Sequence, residues 1–528
     1  MNNHTRRAHL VGAGIGSLAT AAYLIKDGDF LGSNITIYEQ DYMPGGCLDA
    51  RGDVEKGYIM QGERMFEPNY VCMYDLMSFI PSLEDPYKSI KEDTFAYSRT
   101  YPWNNKCRLV ANGKKLNADD YGLTPQDTME MMALNLKPEK AANDKRISDV
   151  FSPHFFDTNF WHMWKTLFAF EPWHSAIELR RYFLRFMHLM PDQRTMSKIM
   201  RTRYNNYDSM VRPVQKWLTD RGVSFVFKTV VTDLDVGDHN DKEITVSSIT
   251  MVQDGKEKKV DVSPQDIVIV TLGSMISNSV LGSNDSPPPP PNTTKLSGSW
   301  ALWQTLSKKR KDVFRDPWVF TDHVDESSFI SYTVTQTDPL FFKLMEELSE
   351  QVPGRNGITT LPHSPWVLTF ILNTQPYYAN QAKDTLVWYG LALYPDKVGE
   401  FVRKPMTECS GREILEEMIG HLAFDAHKKK ILDSSIVIPN RMPFITSQFL
   451  VRNTETRPPV IPEGSTNLGL IGQFVEIPDD VVFTVEYSVR GAQIAAFKLG
   501  NINREPNPFQ HVSHDLDVVF AAAKALQS

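Results

Sequence analysis

The sequence predicts an α/β protein. A Rossmann-like parallel-sheet domain is assembled from both ends of the chain, with a second domain and helical segments inserted between them. Three apolar runs, each ending in glycine, carry this reading. His9-Leu10-Val11 passes directly into Gly12-Ala13-Gly14-Ile15-Gly16-Ser17. Ile267-Val268-Ile269-Val270-Thr271-Leu272 meets Gly273-Ser274 in mid-chain. Leu468-Gly469-Leu470-Ile471 meets Gly472 near the end. Short, wholly apolar strands of this kind belong to sheets buried on both faces.

The first run opens a βαβ unit. A helix-like stretch follows from Leu18 to Lys26, then a strand-like run from Asn34 to Tyr38 that ends in Glu39. In such a unit Gly12 permits the tight turn and Gly14 lets the backbone approach a pyrophosphate. The helix N-terminus supplies amide donors and the positive end of its dipole. Glu39, about 20 residues on, is placed to accept from a ribose hydroxyl. Ser17 stands where the fingerprint has Gly or Ala, and it is small enough to keep helix and strand close. A glycine triplet alone marks only a Gly-rich turn. The flanking strand, helix and acid make this one a site for an adenine dinucleotide. The loop Met43-Pro44-Gly45-Gly46-Cys47-Leu48 follows, and Gly46 suits a backbone that must pass close to a cofactor. His9 to Ile25 is uncharged and follows Arg6-Arg7, as in a secretory leader, but its Gly, Ala, Ser and Thr content and its length fit the βαβ unit instead.

The second run looks like the returning strand of a two-dinucleotide-fold flavoprotein. The third leads into Gln473-Phe474-Val475-Glu476 and a helix with Ser488, Arg490, Gly491, Ala492 and Ala495, a second place for the flavin and ribityl end to dock. The cofactor domain is therefore discontinuous, over 1–70, 200–275 and 440–528. Residues 71–199 form a helical, aromatic-rich part of the substrate region, and 276–439 a mixed α/β substrate domain. In the former, a helix is predicted over Ser175 to Leu189. Leu179, Tyr182, Phe183, Phe186 and Leu189 recur at three and four on one face, with Arg180, Arg181 and Arg185 largely off it. That face either packs on a core or lines a long apolar pocket. Residues 224–274 read as β structure with a hairpin turn at Asp254-Gly255. Pro287 to Pro291 read as an exposed loop without chemistry. Trp366–Leu372 and Thr385–Tyr389 read as strands, and the loop Asn373 to Tyr378 follows the first.

Composition excludes other classes. Of 528 residues 41% are hydrophobic and 23% charged, ordinary for a globular protein. The net charge of −8 argues against a broad nucleic-acid-binding face. Cys47, Cys72, Cys107 and Cys409 form neither a CxxC pair nor a metal spacing and read as reduced cytoplasmic thiols. His511 and His514 lack a third ligand, so no metal site is predicted. No Gly-x-Ser-x-Gly elbow, phosphate-loop lysine or His-Glu-x-x-His motif is present.

Nearly the whole chain resembles the FAD-dependent fatty-acid hydratases, typified by oleate hydratase and also called the myosin-cross-reactive antigen family. The resemblance is carried by Val11 to Leu18, Ile37-Tyr38-Glu39-Gln40, Gly45 to Asp49, Phe168-Ala169-Phe170-Glu171-Pro172-Trp173-His174-Ser175 and Tyr204-Asn205-Asn206-Tyr207-Asp208. Val268 to Ser274, Gly472 to Glu476 and Asp480 to Thr484 complete it. It implies bound FAD and a redox-neutral reaction, in which water adds across a cis double bond of an unsaturated fatty acid such as oleate. It extends the cofactor-binding set from Gly12, Gly14, Glu39 and Gly46 to Ile15, Gly16, Gln40, Gly62, Arg64, Gly273, Ser274, Glu476 and Thr484.

The resemblance also implies that Tyr182 is the acid that protonates the alkene. The family's water-activating glutamate sits in an Arg-Gly-Gly-Arg-Glu loop. Here the loop reads Gln61-Gly62-Glu63-Arg64-Met65-Phe66-Glu67, so Met65 takes the glutamate's place and cannot accept a proton. Glu63 or Glu67 are the carboxylates that stand in for it, unless water needs only placement. The family's carboxylate-holding asparagine falls on Asn373, and Tyr377 takes the place of its histidine. The terminal segments that many relatives use for dimer formation and membrane contact are not matched. This implies a monomer with at most transient, peripheral contact with a membrane surface. Two other functions remain at this point: a flavin oxidoreductase of the amine oxidase or desaturase class, and a lipid-binding flavoprotein without catalysis. Fold alone does not separate them.

Overall fold

The computed structural model describes residues 3–237 and 242–527. Residues 1, 2, 238–241 and 528, within the expected cofactor-domain segments, lie outside the described residues. The longer strands of the two main sheets are, in chain order, β1 (Ala8–Val11), β2 (Ile35–Tyr38), β3 (Ser224–Val226), β4 (Ile267–Thr271), β5 (Phe329–Gln336), β6 (Leu368–Ile371), β7 (Leu386–Ala392), β8 (Ser435–Met442) and β9 (Leu468–Ile471). Four helices position the site: α1 (Ile15–Lys26), α2 (Asn159–Phe168), α3 (Ala176–Arg185) and α4 (Val485–Leu499).

The first sheet is parallel, in the order β9-β4-β1-β2-β3. β1 and β9 are buried along their whole length, as is β4 up to Thr271, which is why these strands carry no polar alternation. Val11 lies in register with both Val270 and Tyr38, so the strands end together. Gly12, Glu39, Gly273 and Gly472 follow close behind, along one sheet edge at which an open α/β sheet binds its ligand. α1 packs on α4 over this sheet. A side chain at Gly16 would meet Ile471 at 3.3 Å and the Ser488 carbonyl at 3.6 Å, so the glycine sets how close the layers come. Ser17 fits there too, fully buried with its hydroxyl 3.4 Å from that of Thr271.

The second sheet is antiparallel, in the order β8-β5-β7-β6, with Val280–Leu281 beside β8 and Thr359–Thr360 beside β6. Both strands predicted in this region form, shifted by one to three residues at their ends. Their core includes Trp388 stacked on Phe341, ring centroids 4.9 Å apart. Thr229–Asp235, Ser248–Gln253 and Lys256–Asp261 make a smaller sheet. Its predicted turn places Asp254 and Gly255 at φ 51° and 73°, the left-handed conformation such hairpins require.

The helix predicted from Ser175 to Leu189 is shorter. α3 ends at Arg185, and Met187–Asp192 winds as a 3₁₀ turn containing Pro191. The apolar face is buried as expected. Arg181 and Arg185, expected off that face, are buried as well. Carboxylates compensate them: the half-buried Glu139 and Glu476 for Arg181, and the buried Glu67 for Arg185. Among the described residues no helix is long and apolar enough to cross a membrane.

Candidate active site

A cleft opens along the glycine-ended sheet edge. Gly12, Gly14, Ile15, Gly16, Glu39, Gln40, Gly46, Gly273 and Ser274 line it, together with Gly472, Gln473 and Ser488 from the third run. Gly12 has φ 89°, and a side chain there would meet Thr271 at 3.2 Å. Gly14 faces open space, so its backbone is accessible from the cleft. Glu39 accepts the Ala13 amide at 2.6 Å and the Asp41 amide at 2.9 Å, which holds its carboxylate at the turn. Burial raises its pKa. A dinucleotide fits these residues: free amides at the start of a helix, a turn without side chains and an acid beyond it.

Four residues expected in the cofactor set lie outside this lining. A side chain at Gly62 would strike the Arg64 guanidinium at 2.6 Å, so Gly62 makes room for Arg64. Thr484 caps α4, accepting from the Tyr487 amide at 3.1 Å. Glu476 is held by Arg181 at 2.6 Å and Arg452 at 3.3 Å. Arg64 itself spans two spaces. Its Nη2 lies 3.7 Å from the Met275 sulfur on the cleft wall, and its guanidinium lies over the Phe483 ring.

Behind that wall is a pocket lined by Glu63, Arg64, Met65, Glu67, Leu167, Phe168, Tyr182, Phe186, Ile199, Phe483 and Thr484, so both candidate carboxylates of this loop share it with Tyr182. Tyr182 stands in a cage of Phe168, Phe170, Phe186 and Phe449, with centroids 4.8 to 5.6 Å away. Three segments build the cage. α2 ends at Ala169 in the left-handed conformation, which turns Phe170 onto Phe449. His174 then accepts the Glu171 amide and pins the turn. The Tyr182 hydroxyl donates to the Val482 carbonyl at 2.5 Å. Burial raises its pKa well above that of a free phenol; Glu178 adds to this and Arg64 opposes it. One turn earlier on α3, Glu178 is fully buried between Arg452 at 2.6 Å and Arg457 at 3.0 Å. Burial pushes its carboxyl up, but the arginines overcome this and hold it at about 2.

Both carboxylates near Met65 have partners. Glu67 is buried with Arg185 at 2.9 Å and His188 at 3.1 Å and accepts the Asn69 amide, which is a structural arrangement. Glu63 accepts the phenol of Tyr377. Tyr377 is therefore turned to an acid of its own chain, next to Asn373. Asn373 is buried beside Glu63, and its amide favours the charged form of that carboxyl. Arg201 completes the group, as one of the cations that act on Glu63. Its Nη2 donates to the Tyr101 and Gly354 carbonyls, Nη1 has no partner, and its guanidinium lies 4.6 Å from the Trp103 ring.

Arg201 escaped sequence reasoning because an arginine in the run Met200-Arg201-Thr202-Arg203 shows no periodicity and reads as surface. So did the work of Tyr204 to Asp208. Asn205 donates twice to the Tyr377 carbonyl, and Asn206 brackets the backbone of Arg64 on both sides. One short segment thus fixes the 373–378 loop against the 61–67 loop. Tyr207–Val211 is a π-turn, a local departure from α geometry that often marks functional sites.

This architecture is shared with known proteins. Cyclohexylamine oxidase from Brevibacterium oxydans IH-35A superposes with a TM-score of 0.53 at 12% identity, over 94% of this chain and 99% of that one. A putrescine oxidase bound to putrescine superposes with a TM-score of 0.55 at 11% identity, over 94% and 98%. At such identity they show the fold alone. Sequence relatives are much nearer. An oleate hydratase of Streptococcus pyogenes serotype M49 (strain NZ131) is 37% identical over 512 residues, 94% of this chain and 86% of the relative. A linoleate hydratase of Lactiplantibacillus plantarum is 31% identical over 536 aligned positions, 94% of each chain. The family model described as MCRA matches residues 5–497. With the glycine-ended sheet edge, the caged tyrosine and these relatives in one polypeptide, the chain belongs to the MCRA family.

Proposed function

We propose that this chain is a fatty-acid hydratase that adds water across a cis double bond of an unsaturated acid, with FAD bound and no net redox change. The observation that carries the reading is Tyr182, a phenol held in an aromatic cage one wall away from a dinucleotide cleft. Gly12, Gly14, Glu39, Gly46, Gly273 and Gly472 would hold the FAD. When bound, FAD would supply a polar, planar group whose contribution is electrostatic.

The chain's own groups account for the proton movements. Tyr182 gives its hydroxyl proton to one alkene carbon, and water adds to the other. The proton released by water restores the phenol, so the alkene gains one water and nothing else changes. Arg64 opposes the high pKa of the phenol and so stabilises the phenolate formed on the way. Met65 takes no proton, and Glu67 is committed to Arg185 and His188. Water in this reading is placed by the backbone of the 63–66 loop, without a carboxylate base.

The test is incubation of the FAD-loaded protein with oleate in H₂¹⁸O. One labelled oxygen per product, without stoichiometric flavin turnover, supports the reading. Peroxide release or net flavin reduction by the substrate refutes it.

A further inference from the structure

The pocket that Tyr182 shares with Met65 encloses a void of about 80 Å³, room for several waters. With one exception, the polar side chains on its wall are engaged with protein. Glu63 accepts the Tyr377 phenol, Glu67 meets the His188 ring at 3.1 Å, and Arg64 reaches the Met275 sulfur. The Tyr182 hydroxyl donates to the Val482 carbonyl and that of Thr484 to the Val481 carbonyl. The exception is Tyr70, which lines the same pocket and is only 4% exposed. Its hydroxyl makes no hydrogen bond within the described residues and is not sealed in by protein, so it opens on the void.

A buried phenol without a partner destabilises the fold, so a site that keeps one draws the partner from water or from a ligand. The part of an unsaturated acyl chain that reaches Tyr182 is hydrocarbon and carries no hydrogen-bonding group. The partner of Tyr70 is therefore water. The ring is fixed in place: it lies 6.5 Å from the Phe186 ring, and the Arg185 guanidinium sits 5.6 Å from its centroid. Burial raises the phenol's pKa well above its ordinary value, and Glu67 adds to this. The hydroxyl thus stays protonated and offers one donor and two acceptor sites.

We propose that Tyr70 binds the water that adds to the alkene, accepting one of its hydrogens on the phenol oxygen. Together with the backbone of the 63–66 loop, this leaves a lone pair of the water oxygen free to meet the alkene carbon. The C–O bond forms as the alkene's π pair takes up the proton from Tyr182. The proton that water gives up returns to the Tyr182 oxygen, and Tyr70 ends as it began. The inference rests on the hydratase reading and names the side chain that places its water.

Tyr70→Phe tests it, because the hydroxyl it removes has no partner in the protein and the ring contacts with Phe186 and Arg185 stay. Thermal unfolding of the FAD-loaded variant is expected to match wild type or lie above it. Oleate is supplied to both proteins in D₂O, and early rates of hydration are measured beside deuterium entry into the recovered oleate. Deuterium in the recovered alkene reports protonation that is reversed before water adds. The variant is expected to hydrate about tenfold more slowly with little change in KM, the scale of one hydrogen bond made to the reacting water. Its ratio of deuterium entry to hydration is expected to rise, since Tyr182 still protonates while water is poorly placed. A wild type that hydrates oleate and a variant with kcat within threefold of it overturn the inference and leave the hydratase reading intact. So does a variant that loses hydration and deuterium entry in equal proportion, because the hydroxyl then serves the fold or the proton transfer. A wild type that leaves oleate unhydrated refutes the hydratase reading itself, and the inference with it.

Discussion

Tyr182→Phe removes one oxygen from the centre of the aromatic cage, and the structure gives two separable consequences. The first is structural. The hydroxyl donates to the buried Val482 carbonyl, so its loss leaves that acceptor without its donor. An unmade hydrogen bond at such a site costs about 1–2 kcal/mol. The ring and its contacts with Phe168, Phe170, Phe186 and Phe449 stay, so the fold is retained. The second is catalytic. If the phenol delivers the proton, its removal lowers kcat by at least about 100-fold, a typical scale for a general acid and about 2.7 kcal/mol in the barrier. The two are read separately, by thermal unfolding of the FAD-loaded variant and by oleate hydration under saturating substrate. A folded variant with kcat within threefold of wild type refutes the assignment of Tyr182 as the acid.

Arg64→Gln is expected to lower kcat by about 10-fold or more with little change in the KM for oleate, because its charge opposes the cost of the Tyr182 phenolate; an unchanged kcat refutes this. Met65→Glu is expected to change kcat by less than about threefold and to lower stability, since Met65 packs against the Trp103 cluster; a tenfold gain in kcat shows instead that the native site lacks a needed base. Glu178→Gln leaves Arg452 and Arg457 without their shared carboxylate and is expected to cost about 3–5 kcal/mol, measured by denaturant unfolding. Burial lifts Glu171 from its ordinary 4.5 to about 7, so its folded form holds a proton that the unfolded chain releases, and its contribution to stability is lost as pH rises from about 4.5 to about 7. Glu171→Gln is therefore expected to flatten that part of the stability–pH profile, and an unchanged slope refutes the assignment.

What could be read from the sequence was set by short-range constraints. Gly12, Gly14 and Glu39 were legible because a tight turn, a helix start and an acid at fixed spacing follow from the geometry of one βαβ unit. Tyr182 was legible as an aromatic on an apolar helix face. The burial of Arg181 and Arg185 was not, since periodicity treats a charged residue as solvated, and only distant Glu67, Glu139 and Glu476 overturn that. The same holds for Glu63 and Tyr377, which lie 314 positions apart. No local pattern in either loop announces the other. Asn205 and Asn206 bring the two together, and their motif was visible as a resemblance without disclosing what its side chains hold.

The two departures from the family's residue pattern, Met65 and Tyr377, acquire a common explanation through Glu63. The resemblance implies a histidine beside the substrate carboxylate where this chain carries Tyr377, a phenol that can only donate one hydrogen bond. In the same family comparison Met65 stands where a glutamate is implied, and Glu63 lies two residues earlier. The phenol and this carboxyl bond to each other, so neither departure stands alone. If Glu63 served as a displaced water-activating base, its removal would act on kcat at every pH. If it serves the head group, Glu63→Gln acts on KM, more strongly at high pH than at low pH, and leaves kcat nearly unchanged at saturation. The split between the two parameters therefore decides whether this loop keeps a catalytic base at Glu63 or only a binding group.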